Sequence, residues 1–466
     1  MKRRVPAGKK FSGQHVLVVG LGVHGGAVAA IRWLVAHGAI VRVTDQKSRQ
    51  ELRASINTLR GLSISWRLGR EDVGDVRWAD WVLQNPGVPA KNPLIVAARK
   101  QGKPIHNEAG IFLREIQSPV IGVTGTRGKT TTTLLIAHVL KKFHRGSRAA
   151  GNLRDVPMLS ILDRIRDQEW TVLELSSFQL EGVAAVEKSP QIAVWTNLLV
   201  DHLNRYRTMT AYAEAKSHIV RYQQPTDIAV LNADSAAVRS MARYTRGRIL
   251  WFSTQRQHGD WSILLRDGWV QEWRGKKMTK IIQWKKFPLA GDHQQHNVLA
   301  AVGGCRAAGV PASMIRQALP SFSSVPHRQE IIRTWRGHQW VNDTAATSPD
   351  GAAAAIAAFP DAVYIIGGTD KQLDFTPMIR ALRGHRDPIV CLPGTATTKL
   401  QRGLRQAKFA GRIIRVESMA RAVTEAAQAA RPGQRIVLTP GAASFGLFQH
   451  EFDRGEQFIR AVQQLR

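Results

Sequence analysis

Pro119-Val-Ile-Gly-Val-Thr124-Gly125-Thr126-Arg-Gly128-Lys129-Thr130-Thr131 is the stretch on which the reading of this chain turns. Its apolar first half predicts a buried strand, and the glycines that follow predict a tight turn into a helix reaching Leu140. Glycines at such a turn let backbone N–H groups close on phosphate oxygens. A lysine there can reach the outer phosphates of a nucleotide, and the Thr130 hydroxyl can ligate Mg²⁺. The stretch departs from the usual phosphate loop at one place: position 123 carries Val123 where a glycine is customary, and Gly122 stands one residue earlier.

Toward the N-terminus, His15-Val-Leu-Val-Val19 reads as a buried strand, and Gly20-Leu-Gly22-Val23-His24-Gly25 turns into an apolar helix through Trp33-Leu34-Val35. A second strand, Ile40-Val-Arg-Val-Thr44, ends in Asp45. Alone, this βαβ unit fits a nicotinamide or flavin dinucleotide, another nucleotide, or a purely structural turn. A simple dehydrogenase has no use for a second nucleotide-type turn at Gly125, so the pair argues against it.

Toward the C-terminus, Trp340-Val-Asn-Asp343 reads as a strand end and Ala352 to Phe359 as a helix. Val363 to Gly368 reads as strand and turn, and Arg435-Ile-Val-Leu-Thr439 as the last strand. The β/α alternation implies mostly parallel sheets with function at the carboxyl ends of the strands. The expected fold is α/β in three domains. Residues 1–107 form a Rossmann-like domain, 108–325 a central P-loop ATPase domain with a mostly parallel sheet, and 326–466 a Rossmann-like C-terminal domain. Residues 245–288, rich in Trp, Lys and Arg, suggest a small antiparallel addition to the central domain.

Composition bounds the rest. The chain has 466 residues, 44% hydrophobic and 22% charged, which fits a soluble multidomain protein. No apolar stretch suits a membrane span, and Met1-Lys-Arg-Arg4 leads into a polar segment, so no membrane insertion and a cytoplasmic location are expected. Cys305 and Cys391 are too few for a disulfide framework and are expected to be buried and reduced. The net charge of +31 invites a nucleic-acid reading. The basic residues are spread from Lys2 to Arg466 without a long block or an aromatic RNA-binding motif, so no specific nucleic acid is expected, and anionic substrates explain the balance as well.

Downstream of the phosphate loop, Trp170-Thr-Val-Leu-Glu174 predicts a strand ending in a carboxylate, where Mg²⁺ is commonly held. A helix-capping role for Glu174 or Glu181 is the plainer alternative. Val194-Trp-Thr-Asn197 is a further strand leading to Asp201-His202, a metal or phosphate ligand candidate. Lys216 lies on a helix, where a single lysine is usually solvated.

Taken together, these motifs resemble those of the Mur ligases, and among them the D-glutamate-adding ligases. The resemblance rests on their order: 125–130, Gly151-Asn152, Glu174-Leu-Ser-Ser-Phe-Gln-Leu-Glu181, Asp201-His202 with Arg205-Tyr206, Tyr212 with Lys216, and Asn297. It continues in Pro326-His-Arg328, Asn342-Asp343, Gly367-Gly368 with Asp370-Lys371, and Ser444 with Arg454-Gly455. It implies that ATP phosphorylates the carboxylate of UDP-N-acetylmuramoyl-L-alanine and that the amine of D-glutamate then attacks the acyl phosphate, a step of peptidoglycan precursor synthesis. By the same resemblance, ATP is bound by Gly125, Thr126, Gly128, Lys129, Thr130, Thr131, Asn297, Arg328 and Asp343. Mg²⁺ is held by Thr130, Glu174, His202 and a carbamylated Lys216, with Lys129, His202 and Lys216 as catalytic residues. The UDP substrate falls to Gly22, Val23, His24, Asp45, Asn85, Gly87 and Asn152, and the amino acid to Thr347, Lys371 and Ser444. A monomer is expected.

The sequence departs from the family pattern at several points. Ala345 stands where the family carries a lysine, Gln294 where it carries an asparagine, and Gly446 where it carries an aspartate. These changes keep L-glutamate or another amino acid open as acceptor, beside the nicotinamide-dependent oxidoreductase reading of the first turn.

Overall fold

The computed structural model describes residues 10–22, 25–153, 156–287, 293–322 and 325–465. The expected α/β architecture is present as three sheets. The first sheet holds β1 (His15–Val19), β2 (Ile40–Asp45), β3 (Ile64–Leu68), β4 (Trp81–Gln84) and β5 (Ile105–His106), all parallel, in the order β3-β2-β1-β4-β5. Val16 to Val19 are all buried, as expected for a parallel strand covered on both faces. The strand order reverses at β1, and there the register sets Val19 level with Thr44 and Gln84. Gly20, Asp45 and Asn85 therefore leave the sheet at one rim, the switch point where open α/β sheets bind ligands.

The second sheet contains β6 (Val120–Thr124), β7 (Arg148–Gly151), β8 (Thr171–Glu174), β9 (Ile192–Trp195), β10 (Ile228–Asn232), β11 (Arg248–Ser253), β12 (Trp261–Arg266), β13 (Trp269–Arg274) and β14 (Lys277–Gln283). Its order is β14-β13-β12-β11-β10-β9-β6-β8-β7. The strand expected from Pro119 starts at Val120, since proline has no N–H to give to the ladder. In register, Val123 is level with Glu174 and Val194, and Glu174 with Gly151. Three strand ends thus deliver the phosphate loop, Glu174 and the segment after Trp195 to one edge. The antiparallel addition is β12 to β14, with β12 joined in parallel to β11.

The third sheet runs β15-β16-β20-β17-β18-β19 and is parallel except for the β15–β16 pair. Its strands are β15 (Glu330–Trp335), β16 (His338–Asn342), β17 (Val363–Gly367), β18 (Ile389–Leu392), β19 (Ile413–Arg415) and β20 (Ile436–Leu438). The helix expected from Ala352 begins earlier, at Pro349: Ser348 caps it by accepting from the Gly351 N–H, and proline suits the first helical position. Both cysteines are free and buried, and among the described residues no helix is long and apolar enough to cross a membrane.

The first two sheets share one compact unit and the third forms another. Asn107 stitches the first unit together. Its Oδ1 caps the Glu108–Glu115 helix at the Gly110 N–H (2.9 Å), while its Nδ2 donates to the Gln179 (2.9 Å) and Phe178 (3.3 Å) carbonyls beyond the phosphate loop. The backbones close tightly here, and a Cβ on Gly110 would stand 2.6 Å from the Gly182 carbonyl oxygen. Because the obstacle is backbone, Gly110→Ala should destabilise this unit by about 1–3 kcal/mol, read as a lower urea midpoint with an unchanged slope.

Candidate active site

The phosphate loop is shaped by close approaches that only glycine allows. Gly125 lies at φ +151 and Gly128 at φ +79, and a Cβ on either would run into Thr196 Oγ1 or Asn297 Oδ1 respectively. Gly128 caps the Lys129–Phe143 helix, whose free N–H groups and dipole favour an anion. Asn197 holds the loop from outside: its Oδ1 accepts from the N–H groups of Thr126 (3.1 Å) and Arg127 (2.9 Å), and its Nδ2 donates to the Arg127 carbonyl (3.1 Å). Thr196 Oγ1 adds a bond to the same carbonyl at 2.7 Å. Lys129 folds back onto the loop, donating to the carbonyls of Gly125 (3.1 Å) and Thr126 (3.0 Å). Thr130 is half-buried and Thr131 buried behind it.

Lys216 is where the structure corrects the plain sequence reading. It is not a solvated surface lysine: it is 1% exposed on the Met209–Arg221 helix, and its Nζ donates to the Gly125 carbonyl (3.0 Å) and approaches Thr124 Oγ1 (3.5 Å). Burial, and then the charge of Lys129, push its pKa well below the usual lysine range, against the pull of Asp201 and Glu174. Glu174 is 2% exposed. Its Oε1 accepts from Asn152 Nδ2 at 3.0 Å, and its Oε2 is buried with no hydrogen-bond partner. The capping role belongs to neither glutamate: Ser176 and Gln179 form the capping box of the Ser177–Glu181 helix. Glu181 instead pairs with Arg205 (2.8 Å) and accepts from the Tyr206 hydroxyl (2.7 Å). His202, at φ +54, lies against Phe178 and Tyr212, and the Tyr212 ring also carries the Lys216 amine at 4.8 Å. Partial burial lowers the His202 pKa, with Asp201 opposing.

A partnerless carboxylate oxygen near a buried amine of lowered pKa fits a divalent cation, so the donor chemistry suits Mg²⁺. Among the described residues no three His, Cys, Asp or Glu side chains gather as a metal-holding group.

At the first rim, Asp45 is buried and turned inward. Its carboxylate accepts from the N–H groups of Leu21 (2.8 Å), Gly22 (3.3 Å) and Lys47 (2.9 Å), which fixes the glycine turn. Asn85 does the same across the rim, donating to the Gly20 carbonyl (3.1 Å) and accepting from the Gly87 N–H (3.0 Å). Arg205 reaches the adjoining Pro86 carbonyl at 3.0 Å, tying this rim to Glu181. Val23 and His24 lie outside the described residues. Gly22, Asp45, Asn85 and Gly87 are thus brought together, while the Asn152 amide is spent on Glu174.

In the third sheet, Thr347, Lys371 and Ser444 follow β16, β17 and β20, and backbone bonds join their loops: Gly441 N–H to the Ala346 carbonyl (2.9 Å), and Thr369 with Ala443 in both directions (2.9 and 3.1 Å). Ser444 is buried, Thr347 half-buried, and Lys371 exposed with its amine 5.4 Å from the Phe445 ring centroid. Arg454, fully buried, fastens the same loops through Thr344 and the Ala442 carbonyl at 3.0 Å. Asp343 accepts from Thr439 Oγ1 (3.1 Å) and the Gln329 N–H (3.2 Å), and burial pushes its pKa up to about 7, with exposed Arg328 opposing. Sequence reasoning missed Thr196, Asn197 and the Glu181–Arg205 pair as site builders. Their one signal was a run of polar residues following an apolar strand.

Comparison with known proteins agrees with this layout. The Mur ligase MurD-like N-terminal domain matches residues 14–107, the Mur ligase middle domain 123–305, and the Mur ligase glutamate ligase domain 327–442. The chain is 40% identical to the UDP-N-acetylmuramoylalanine--D-glutamate ligase of Roseiflexus sp. (strain RS-1), over 97% of this chain and 99% of that one. It is 38% identical to the enzyme of the same name from Symbiobacterium thermophilum, over 98% and 100%. Among solved structures, the fold is shared with the UDP-N-acetylmuramate-alanine ligase MurC of Thermotoga maritima (TM-score 0.62, 21% identity, 97% and 99% coverage). It is shared too with MurF ligase of Thermotoga maritima in complex with ADP (TM-score 0.56, 19% identity, 98% and 96% coverage). With three domain matches in order and relatives alike along nearly their whole length, the chain belongs to the Mur ligase family.

Proposed function

We propose that this chain is an ATP-dependent amide ligase that joins D-glutamate to UDP-N-acetylmuramoyl-L-alanine in peptidoglycan precursor synthesis. The observation that carries the reaction class is the meeting of Lys129 and Lys216 on one loop carbonyl beside the partnerless Glu174 oxygen. The names of the full-length relatives support the substrates. Residues 1–107, 108–325 and 326–466 then serve the UDP substrate, ATP and the amino acid in turn, in a cytoplasmic monomer.

In this reading Gly125, Thr126, Gly128, Thr131 and Asn297 cradle ATP, joined by Arg328 and Asp343. Lys129 neutralises the phosphoryl group in transfer to the muramoyl-alanine carboxylate. The amine of glutamate attacks the acyl carbon, and collapse of the tetrahedral intermediate breaks the C–O bond to phosphate and leaves the amide. Thr130, Glu174, His202 and a carbamylated Lys216 would hold Mg²⁺, which supplies charge neutralisation when bound. The depressed Lys216 pKa supports carbamylation, since only the neutral amine adds CO₂. Gly22, Val23, His24, Asp45, Asn85, Gly87 and Asn152 serve the UDP moiety, and Thr347, Lys371 and Ser444 the glutamate carboxylates. Ala345 keeps L-glutamate or another acceptor as the second reading.

Phosphate release with ATP, Mg²⁺, UDP-N-acetylmuramoyl-L-alanine and single amino acids tests the whole. D-glutamate should be the preferred acceptor, and release with none of them would sink the proposal. Lys129→Ala should lower turnover on the order of a hundredfold or more with the thermal midpoint preserved. Asp45→Ala should loosen the glycine turn and raise KM for the UDP substrate while leaving ATP affinity alone. Lys216→Ala should be nearly inactive and partly recovered by added acetate, which can fill the carbamate position. A fully active Lys216→Ala excludes the modified lysine.

A further inference from the structure

Asn297 is buried on the His293–Ala307 helix and lies against the phosphate loop, where a Cβ on Gly128 would run into its Oδ1. What seats that helix and what sets its first turn are different interactions. The helix body rests on its glycines: a Cβ on Gly303 would stand 2.7 Å from Val230 of β10, and one on Gly304 would stand 2.8 Å from Ile136 of the Lys129–Phe143 helix. Both contacts lie about two turns beyond Asn297.

At the first turn the fastening is polar. His296 Nε2 donates to Asp234 Oδ2 at 3.0 Å, from the position next to Asn297. Asp234 follows β10 and is half-buried. It also accepts from the Thr254 N–H (2.7 Å), Thr254 Oγ1 (2.9 Å) and Ser253 Oγ (2.5 Å) at the end of β11. Burial raises its pKa, but the bonds from His296, Ser253 and Thr254 outweigh burial and hold the carboxyl below the usual carboxylate range. Two residues earlier, the buried Asn232 accepts from the Asp234 N–H (2.9 Å) and donates to the Thr196 carbonyl (2.7 Å). Thr196 in turn closes on Gly125 and bonds the Arg127 carbonyl at 2.7 Å. The segment Asn232-Ala-Asp234 thus backs both glycines of the loop, Gly125 through Thr196 and Gly128 through His296 and Asn297.

We infer that His296 and Asp234 are positioning residues for the nucleotide: their hydrogen bond sets the first turn of the His293–Ala307 helix, and Asn297 with it, against the phosphate loop. The inference rests on the ATP site of the proposed function. A first helical turn lacks part of its backbone bonding and is the part that frays when a side-chain anchor is lost. Gly303 and Gly304 keep the rest of the helix seated. Loss of the anchor therefore falls on nucleotide affinity and not on the fold.

Calorimetric titration with ATP and Mg²⁺ tests this. His296→Ala should raise the ATP Kd about tenfold, as for loss of one charge-assisted hydrogen bond, with the thermal midpoint and the affinity for UDP-N-acetylmuramoyl-L-alanine preserved. His296→Gln, whose amide can donate to the same carboxylate, should stay within about twofold of the wild type. His296→Ala combined with Asn297→Ala should bind ATP no more weakly than Asn297→Ala alone, because a residue that acts through Asn297 then has nothing to act on. Wild-type ATP affinity in His296→Ala, a Gln variant as weak as the Ala variant, or losses that multiply in the double variant overturn the inference. So does a His296→Ala that loses both ligands together, the mark of a merely structural role. A wild type that binds no ATP, or an Asn297→Ala that binds it normally, overturns the ATP-site reading along with it.

Discussion

Two lysine amines end on the carbonyl oxygen of Gly125, Lys129 at 3.1 Å and Lys216 at 3.0 Å. Two ammonium groups converging on one oxygen repel each other, and Lys216 has almost no water to screen the repulsion. The fold leaves Lys216 no escape: its helix is packed with Tyr212 and Ile219 buried, and its Nζ sits under the turn that ends β6. Burial and the Lys129 charge lower the Lys216 pKa well below the usual lysine range, so two residues of one type become chemically different. In the proposed reaction Lys129 would stay a cation for phosphate and Lys216 would take up CO₂, near the unpaired Glu174 oxygen.

The same geometry explains the tightness of the loop around them. Gly125 and Gly128 have no room for a side chain because Thr196 and Asn297 press against them, and Asn197 takes up the loop's Thr126 and Arg127 N–H groups. Thr124 Oγ1 bonds the Leu175 carbonyl at 2.8 Å, so the end of β8, and Glu174 with it, moves as one piece with the loop. A site assembled by parallel strand ends in register is held within hydrogen-bond tolerance by the sheet, as phosphoryl transfer requires.

The local part of this was legible in the sequence. Strand, glycine turn and helix around 119–143 are encoded within a short window, and the same holds at 15–45 and 363–368, where buried parallel strands read as unbroken apolar runs. What could not be read was burial decided by distant partners. Nothing in Tyr212-Ala-Glu-Ala-Lys216 says that its lysine reaches across to Gly125, and nothing in Asn107-Glu108 says that these two side chains bridge two sheets. Asp45 was legible as a position but not as a contact: spacing identified the acid after the second strand, while its oxygens are turned to the glycine turn's own N–H groups.

The excess of positive charge acquires a meaning from where the buried acids are. Glu108 and Asp343 are both raised to about 7 by burial, and each is met by backbone N–H or hydroxyl donors rather than by an ion pair. Glu174 accepts one amide and keeps one oxygen open. Other buried acids are ion-paired, Asp75 with Arg42 at 2.6 Å and Glu272 with Arg306 at 2.7 Å. The net +31 raises the local concentration of anions and speeds their encounter, an effect that falls with ionic strength. The proposed substrates, ATP, a UDP-sugar and glutamate, are all anions, so one charge balance would serve all three.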